Sequence, residues 1–149
     1  MELSLASTLI RFLKKHINAL HFTGSFYRNE PFINDIDIIT IRPLDKVIDD
    51  FYDLFGAERI DMKKNGKRYK SFIFVIDDDF KIQIDIWKAD DKTELFFKKT
   101  MRNLDKGHNI YYRNKARARG MVLSDEGLFK DDRRIDIKTK KELKDILRI

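Results

Sequence analysis

The feature that most constrains this chain is Asn34-Asp35-Ile36-Asp37-Ile38-Ile39, two carboxylates at i and i+2 inside an isoleucine-rich run. β-Branched residues favour a strand, where alternate side chains share a face. Asp35 and Asp37 then point the same way, roughly 7 Å apart along the backbone. Two carboxylates on one apolar strand are costly unless positive charge sits between them. A divalent cation is the usual solution, and Mg²⁺ is commonly held by one or two carboxylates together with substrate phosphates. Upstream, Gly24-Ser25 makes a small-residue turn before Phe26-Tyr27-Arg28, and such a turn presents backbone N–H groups to phosphate. Together these residues point to a metal-dependent nucleotidyl-transfer site. The plainer alternative is an edge strand with acidic residues on its wet face.

Composition bounds the rest. The 149 residues, 42% hydrophobic with twelve Phe, supply enough apolar surface for one domain or two small lobes. A formal net charge of +6 makes a polyanionic partner plausible. With no cysteine, disulfides and Cys-ligated zinc are excluded. Apolar runs fall far short of the roughly 20 residues that span a bilayer, and the opening residues are amphipathic rather than signal-like. The default expectation is a soluble intracellular protein, cytoplasmic or viral if virus-encoded, with no membrane partner.

Periodicity gives the element order. Leu5, Leu9, Ile10, Leu13, Ile17 and Leu20 predict a helix over Leu3 to Leu20; His16 reads as a surface residue. Leu20 to Thr23 is a short strand feeding Gly24-Ser25, and Ser25 is placed to cap a short helix through Arg28. A strand from Asp35 to Ile41 ends before Pro43, and a helix over Asp45 to Leu54 closes at Gly56. Asn65-Gly66 within Lys64 to Lys67 is a hairpin signal. Tyr69 to Ile76 and Phe80 to Trp87 read as strands joined at Asp77-Asp78-Asp79. That acidic triplet reads as a solvated turn rather than a metal site.

In the second of these strands Ile82, Ile84 and Ile86 share one face, while Lys81, Gln83, Asp85 and Trp87 share the other. Asp85 is a lone carboxylate in mid-strand, and in isolation an exposed position explains it. If this strand pairs beside the one carrying Asp35 and Asp37, three carboxylates converge and a two-metal site is complete. After Trp87, Ala89 to Lys92 is a polar link. Helices are expected over Leu95 to Met101, Ile110 to Arg119 (ending at Gly120) and Thr139 to Leu147, the last opened by a Thr139–Glu142 capping box, with a short strand at Met121 to Leu123. Arg113, Lys115, Arg117 and Arg119 lie within one helix beside Tyr111 and Tyr112, a set suited to nucleic-acid contact or, more simply, to a solvated basic face.

Gly24-Ser25-Phe26-x-Arg28, Asn34-Asp35-Ile36-Asp37-Ile38, Ile84-Asp85-Ile86, Gly127-Leu128-Phe129 and Thr139-x-x-Glu142-Leu143-x-x-Ile146-Leu147 together resemble the family X DNA polymerases, the polymerase beta group. The likeness extends over essentially the whole chain and is nearest to the very small viral members. It implies an α+β fold: a nucleotidyltransferase palm of mixed β-sheet with flanking helices over residues 1–90, then a small C-terminal α/β subdomain over 91–149 that selects the nucleotide. The first half is shared by many nucleotidyltransferases; the second points to polymerases. By the resemblance Asp35 and Asp37 bind two Mg²⁺ ions, for which Mn²⁺ can substitute. Asp85 binds one of them and accepts the primer hydroxyl proton. Gly24, Ser25, Arg28 and Asn34 hold the triphosphate, Asn109 meets the incoming base, and Arg113, Lys115, Arg117 and Arg119 contact DNA. The implied partners are gapped or nicked duplex DNA and dNTP, with a DNA ligase as a candidate and a monomer as the expected state.

Three departures from the family pattern stand out. The chain opens directly on the palm, so the lyase and helix-hairpin-helix domains and deoxyribose-phosphate lyase activity are not expected. The aromatic-Thr-Gly turn beneath the sugar is not visible, with Thr100 to Leu104 near that position; and Gln83 stands where many relatives carry arginine. The expected activity is that of a minimal template-directed DNA polymerase filling short gaps in repair. The alternatives are a template-independent nucleotidyltransferase on RNA, protein or a small molecule, and a catalytically silent DNA-binding protein.

Overall fold

In the computed structural model, which describes residues 1–149, the chain divides into two units, Met1–Ala89 and Asp90–Ile149. The first holds helices α1 (Leu3–His16) and α2 (Leu44–Phe55), a 3₁₀ turn at Ala57–Arg59, and strands β1 (His21–Thr23), β2 (Asp35–Thr40), β3 (Ile60–Asn65), β4 (Tyr69–Val75) and β5 (Lys81–Lys88). The strands form one sheet in the order β1-β2-β5-β4-β3. Only β2 and β5 run parallel; the other neighbours are antiparallel.

Period-two alternation splits this sheet into two faces. The register aligns Phe22 with Ile38, Ile36 with Ile84, Ile38 with Ile86, and Phe72 with Ile84. These residues join Ala6, Ile10 and Leu13 of α1 and Val47, Ile48 and Phe51 of α2 in one buried core. Both helices therefore cover the apolar face, leaving the opposite face to carry the polar residues of β2 and β5. Burying this set is the main source of stability for the unit.

The helix expected to reach Leu20 stops at His16. Ile17 is already extended and Ala19 takes a left-handed φ of 61°, which turns the chain into β1 while Ile17 stays in the core. The short helix expected after Ser25 does not form. Arg28 N–H donates to Gly24 O (3.1 Å) and Glu30 N–H to Ser25 O (3.2 Å), but left-handed Gly24 and Asn29 bracket the turn and stop it propagating. The Asn65-Gly66 signal does mark a hairpin, yet not a two-residue turn. Gly66 has no positive φ, Asn65 still belongs to β3, and Gly66 N–H donates to Tyr69 O across a longer loop. The three aspartates form the expected turn, with Asp77 Oδ1 accepting from Asp79 N–H and Phe80 N–H at 2.8 and 3.0 Å.

The second unit holds helices α3 (Lys92–Asn103), α4 (Lys106–Ala118) and α5 (Lys140–Leu147) with a small antiparallel sheet, β6 (Val122–Ser124), β7 (Gly127–Lys130) and β8 (Arg133–Arg134). Phe97, Met101, Tyr112, Ala116, Leu123, Leu128, Leu143 and Leu147 make its separate core. Both α3 and α4 begin earlier than apolar spacing indicates. Asp91 accepts from Glu94 N–H and Asp105 from His108 N–H, each at 2.8 Å, so each aspartate satisfies an orphan donor of the first turn. α5 carries the expected capping box, Glu142 N–H donating to Thr139 Oγ1 at 3.2 Å. The unit is mixed α/β, with β7 and β8 beyond the helical pattern read from its sequence.

Candidate active site

The parallel pairing of β2 with β5 sets Asp37 directly beside Asp85, and Asp35 beside Gln83. Because the side-chain period is two, Asp35, Asp37 and Asp85 all rise from the face that α1 and α2 leave uncovered. Their carboxylates each offer an oxygen within 4.8 Å of the others. One row runs across the sheet as Thr23, Asp37, Asp85 and Ser71. Asp85 sits deepest, 5% exposed.

Like charges at this spacing oppose one another. Burial, and then the negative charge of Asp85, push the Asp35 carboxyl above its ordinary value. Three hard oxygen donors sharing one face, with the outer one resisting ionisation, are a donor set suited to a divalent cation such as Mg²⁺. Cation binding would offset the smaller part of this rise, the part that comes from the charge of Asp85.

Gly24 closes one side of the cluster. Its φ is +78°, and a Cβ built there would lie 2.3 Å from Asp37 Oδ2. Only glycine lets the β1 turn come this close to the carboxylate. Ser25 follows in the same turn. Arg28 pairs with Glu30 through Nη2 at 3.2 Å, both side chains being partly solvated, and Asn34 is exposed just before β2.

Two residues that sequence reasoning did not assign to the site hold Asp85. Tyr69 O–H donates to Asp85 Oδ1 at 3.0 Å. Gln83 Nε2 donates to Oδ1 at 3.0 Å and to Oδ2 at 3.2 Å. Tyr69 is stacked on Trp87, ring centroids 5.0 Å apart. Gln83 was within reach of the sequence, since it stands two residues from Asp85 on the same face. Tyr69 was not, because its place depends on the β4–β5 register.

The remaining sequence candidates lie in the second unit. Asn109 Nδ2 donates to Met101 O at 2.9 Å and its Oδ1 accepts from Arg113 Nε at 2.6 Å; Arg113 also donates to Leu123 O at 3.1 Å. Arg113 and Arg117 stand one turn apart on α4, while Lys115 lies over the Tyr111 ring at 5.5 Å. Arg119 falls just past the helix rather than within it. Tyr112 is buried in the core, which removes it from the aromatics that could stack on a base; Tyr111 is exposed.

No protein-family model and no curated protein sequence matches the chain. Solved structures do. A ternary P/T complex of Leishmania infantum polymerase beta superposes with a TM-score of 0.82 at 15% identity, covering 100% of this chain and 73% of that one. A ternary gap complex of the same polymerase gives 0.82 at 14%, covering 100% and 67%. The five-stranded mixed sheet with its flanking helices therefore has the nucleotidyltransferase fold of polymerase beta.

Proposed function

We propose that this chain is a template-directed DNA polymerase, transferring a deoxynucleoside monophosphate from a dNTP to a primer 3′-hydroxyl and filling short gaps in nicked or gapped duplex DNA. The single observation that carries this reading is the convergence of Asp35, Asp37 and Asp85 on one face of a sheet with the polymerase beta fold. The motif likeness to the very small viral members of family X adds to it, as does the formal charge of +6.

In this reading Asp35, Asp37 and Asp85 would hold two Mg²⁺ ions. When bound, the ions supply positive charge that eases deprotonation of the primer hydroxyl and offsets charge on the transferred phosphoryl and departing pyrophosphate. The turn at Gly24 and Ser25, with Asn34, offers N–H and side-chain donors to the triphosphate, and Arg28 exchanges Glu30 for a phosphate oxygen. An exposed ion pair of that kind is weak, so the exchange costs little. The exposed basic groups of α4 neutralise DNA phosphates. The protein's own contribution is position and electrostatics.

Labelled dNTP and Mg²⁺ supplied with a one-nucleotide-gapped duplex test the proposal. Template-matched extension, lost in Asp35→Asn, is expected; no extension, or equal extension by that variant, would overturn it. One observation favours a second reading, a template-independent nucleotidyltransferase. Asn109 and Arg113 are hydrogen-bonded to Met101 O and Leu123 O, which occupies groups a template reader would use. Transfer indifferent to the templating base, onto RNA, protein or a small molecule, selects that reading.

A further inference from the structure

The donors around Asp85 differ from what a metal-binding carboxylate on a basic protein would ordinarily attract. The chain has 31 Lys and Arg residues, yet the groups holding this carboxylate are a phenol and a primary amide. Each carboxylate oxygen has two lone-pair directions. Oδ1 accepts from both Tyr69 O–H and Gln83 Nε2 at 3.0 Å, which fills it. Oδ2 takes only the longer 3.2 Å contact from Gln83 and keeps capacity for another partner.

The Tyr69 hydroxyl is itself fixed from several sides. Its ring is stacked on Trp87 with planes 29° apart, and Lys64 Nζ lies 5.8 Å over it. Ser71, buried directly opposite Asp85, stands two residues along β4 from Tyr69 and so on the same face. Neutral donors orient the carboxylate without bringing a charge that competes with a cation for its oxygens.

We infer that Tyr69 and Gln83 are positioning residues that hold Asp85 by Oδ1 and turn Oδ2 toward the shared cation. The inference rests on the nucleotidyl-transfer reading only for the consequence to rate; the clamp itself is a property of the cation site. Trp87 is the chain's only tryptophan, and it touches the clamp, so its emission reports cation binding without any reaction.

The test titrates the whole protein with Mn²⁺, without nucleotide or DNA, and follows Trp87 quenching. Tyr69→Phe keeps the ring stack and removes only the O–H. Gln83→Met keeps length and removes the amide donors. Each is expected to raise the half-saturating Mn²⁺ concentration about tenfold. In turnover, kcat is expected to fall while KM for dNTP holds. Unchanged Mn²⁺ half-saturation in both variants and in the double variant overturns the clamp, whether or not nucleotide is transferred. Mn²⁺ binding that weakens in the variants, in a protein showing no transfer, upholds the clamp and overturns only the assigned reaction. Should one variant fail to fold, the other carries the same comparison.

Discussion

Gly24 and Asp35 show at residue scale how stability is set against the site. A side chain at Gly24 meets Asp37 Oδ2 and must also accept a left-handed backbone. Gly24→Ala is expected to lower stability by about 1–2 kcal/mol, measured by urea denaturation, and to lower activity more than that loss explains, because the methyl displaces a ligand. Asp35 works in the opposite direction. Its folded pKa is raised, so the folded protein binds more protons than the unfolded chain between the ordinary carboxylate value and the raised one. Stability therefore falls as pH rises through that window. In cation-free protein, Asp35→Asn is expected to melt higher than the parent at neutral pH, with the gap closing below the ordinary carboxylate range, while transfer activity disappears. Thermal melts of both proteins across pH with a chelator present check this; a variant that melts lower at neutral pH refutes it.

Helix starts show, at the scale of elements, what a sequence states and what it conceals. Alternation alone puts Asp35 with Asp37, and Gln83 with Asp85, because a strand's faces are fixed by period two. The parallel pairing of β2 with β5 is set by contacts between residues far apart in the chain, so the meeting of Asp37 and Asp85 stayed conditional until the register was known. Tyr69 was hidden for the same reason. The starts of α3 and α4 were missed because Asp91 and Asp105 act through backbone hydrogen bonds that apolar spacing does not register. Asp91 has a second partner, Arg134, at 2.6 Å, and that hydrogen bond holds its carboxyl below the ordinary range. Asp91→Ala is expected to cost about 1 kcal/mol at neutral pH through the lost cap. A depressed folded pKa contributes stability above the unfolded value that is lost on acidification, so the penalty should shrink as pH falls below the ordinary carboxylate range. Denaturant midpoints at neutral and acid pH measure it.

At the scale of the whole molecule, the chain combines an acidic cluster with an excess of cations. A formal charge of +6 favours a polyanion, but the sequence run Arg113 to Arg119 does not fold into one uniform stripe. Arg113 is tied to Asn109 and to Leu123 O, so it supports the packing of its own unit. Arg117 is exposed on the same side of α4, one turn on. The two arginines should therefore respond differently to removal. If Arg117 neutralises one phosphate of a bound duplex, Arg117→Ala is expected to reduce the slope of log affinity against log salt by about 0.9 while leaving the melting temperature unchanged. Arg113→Ala is expected to lower the melting temperature as well, because Asn109 Oδ1 and Leu123 O each lose a donor. Fluorescence anisotropy of a gapped duplex over a salt series, paired with melts of the same proteins, separates the two. Equal slopes for Arg117→Ala and the parent would remove α4 from the DNA-binding surface and leave its charge a solvated face.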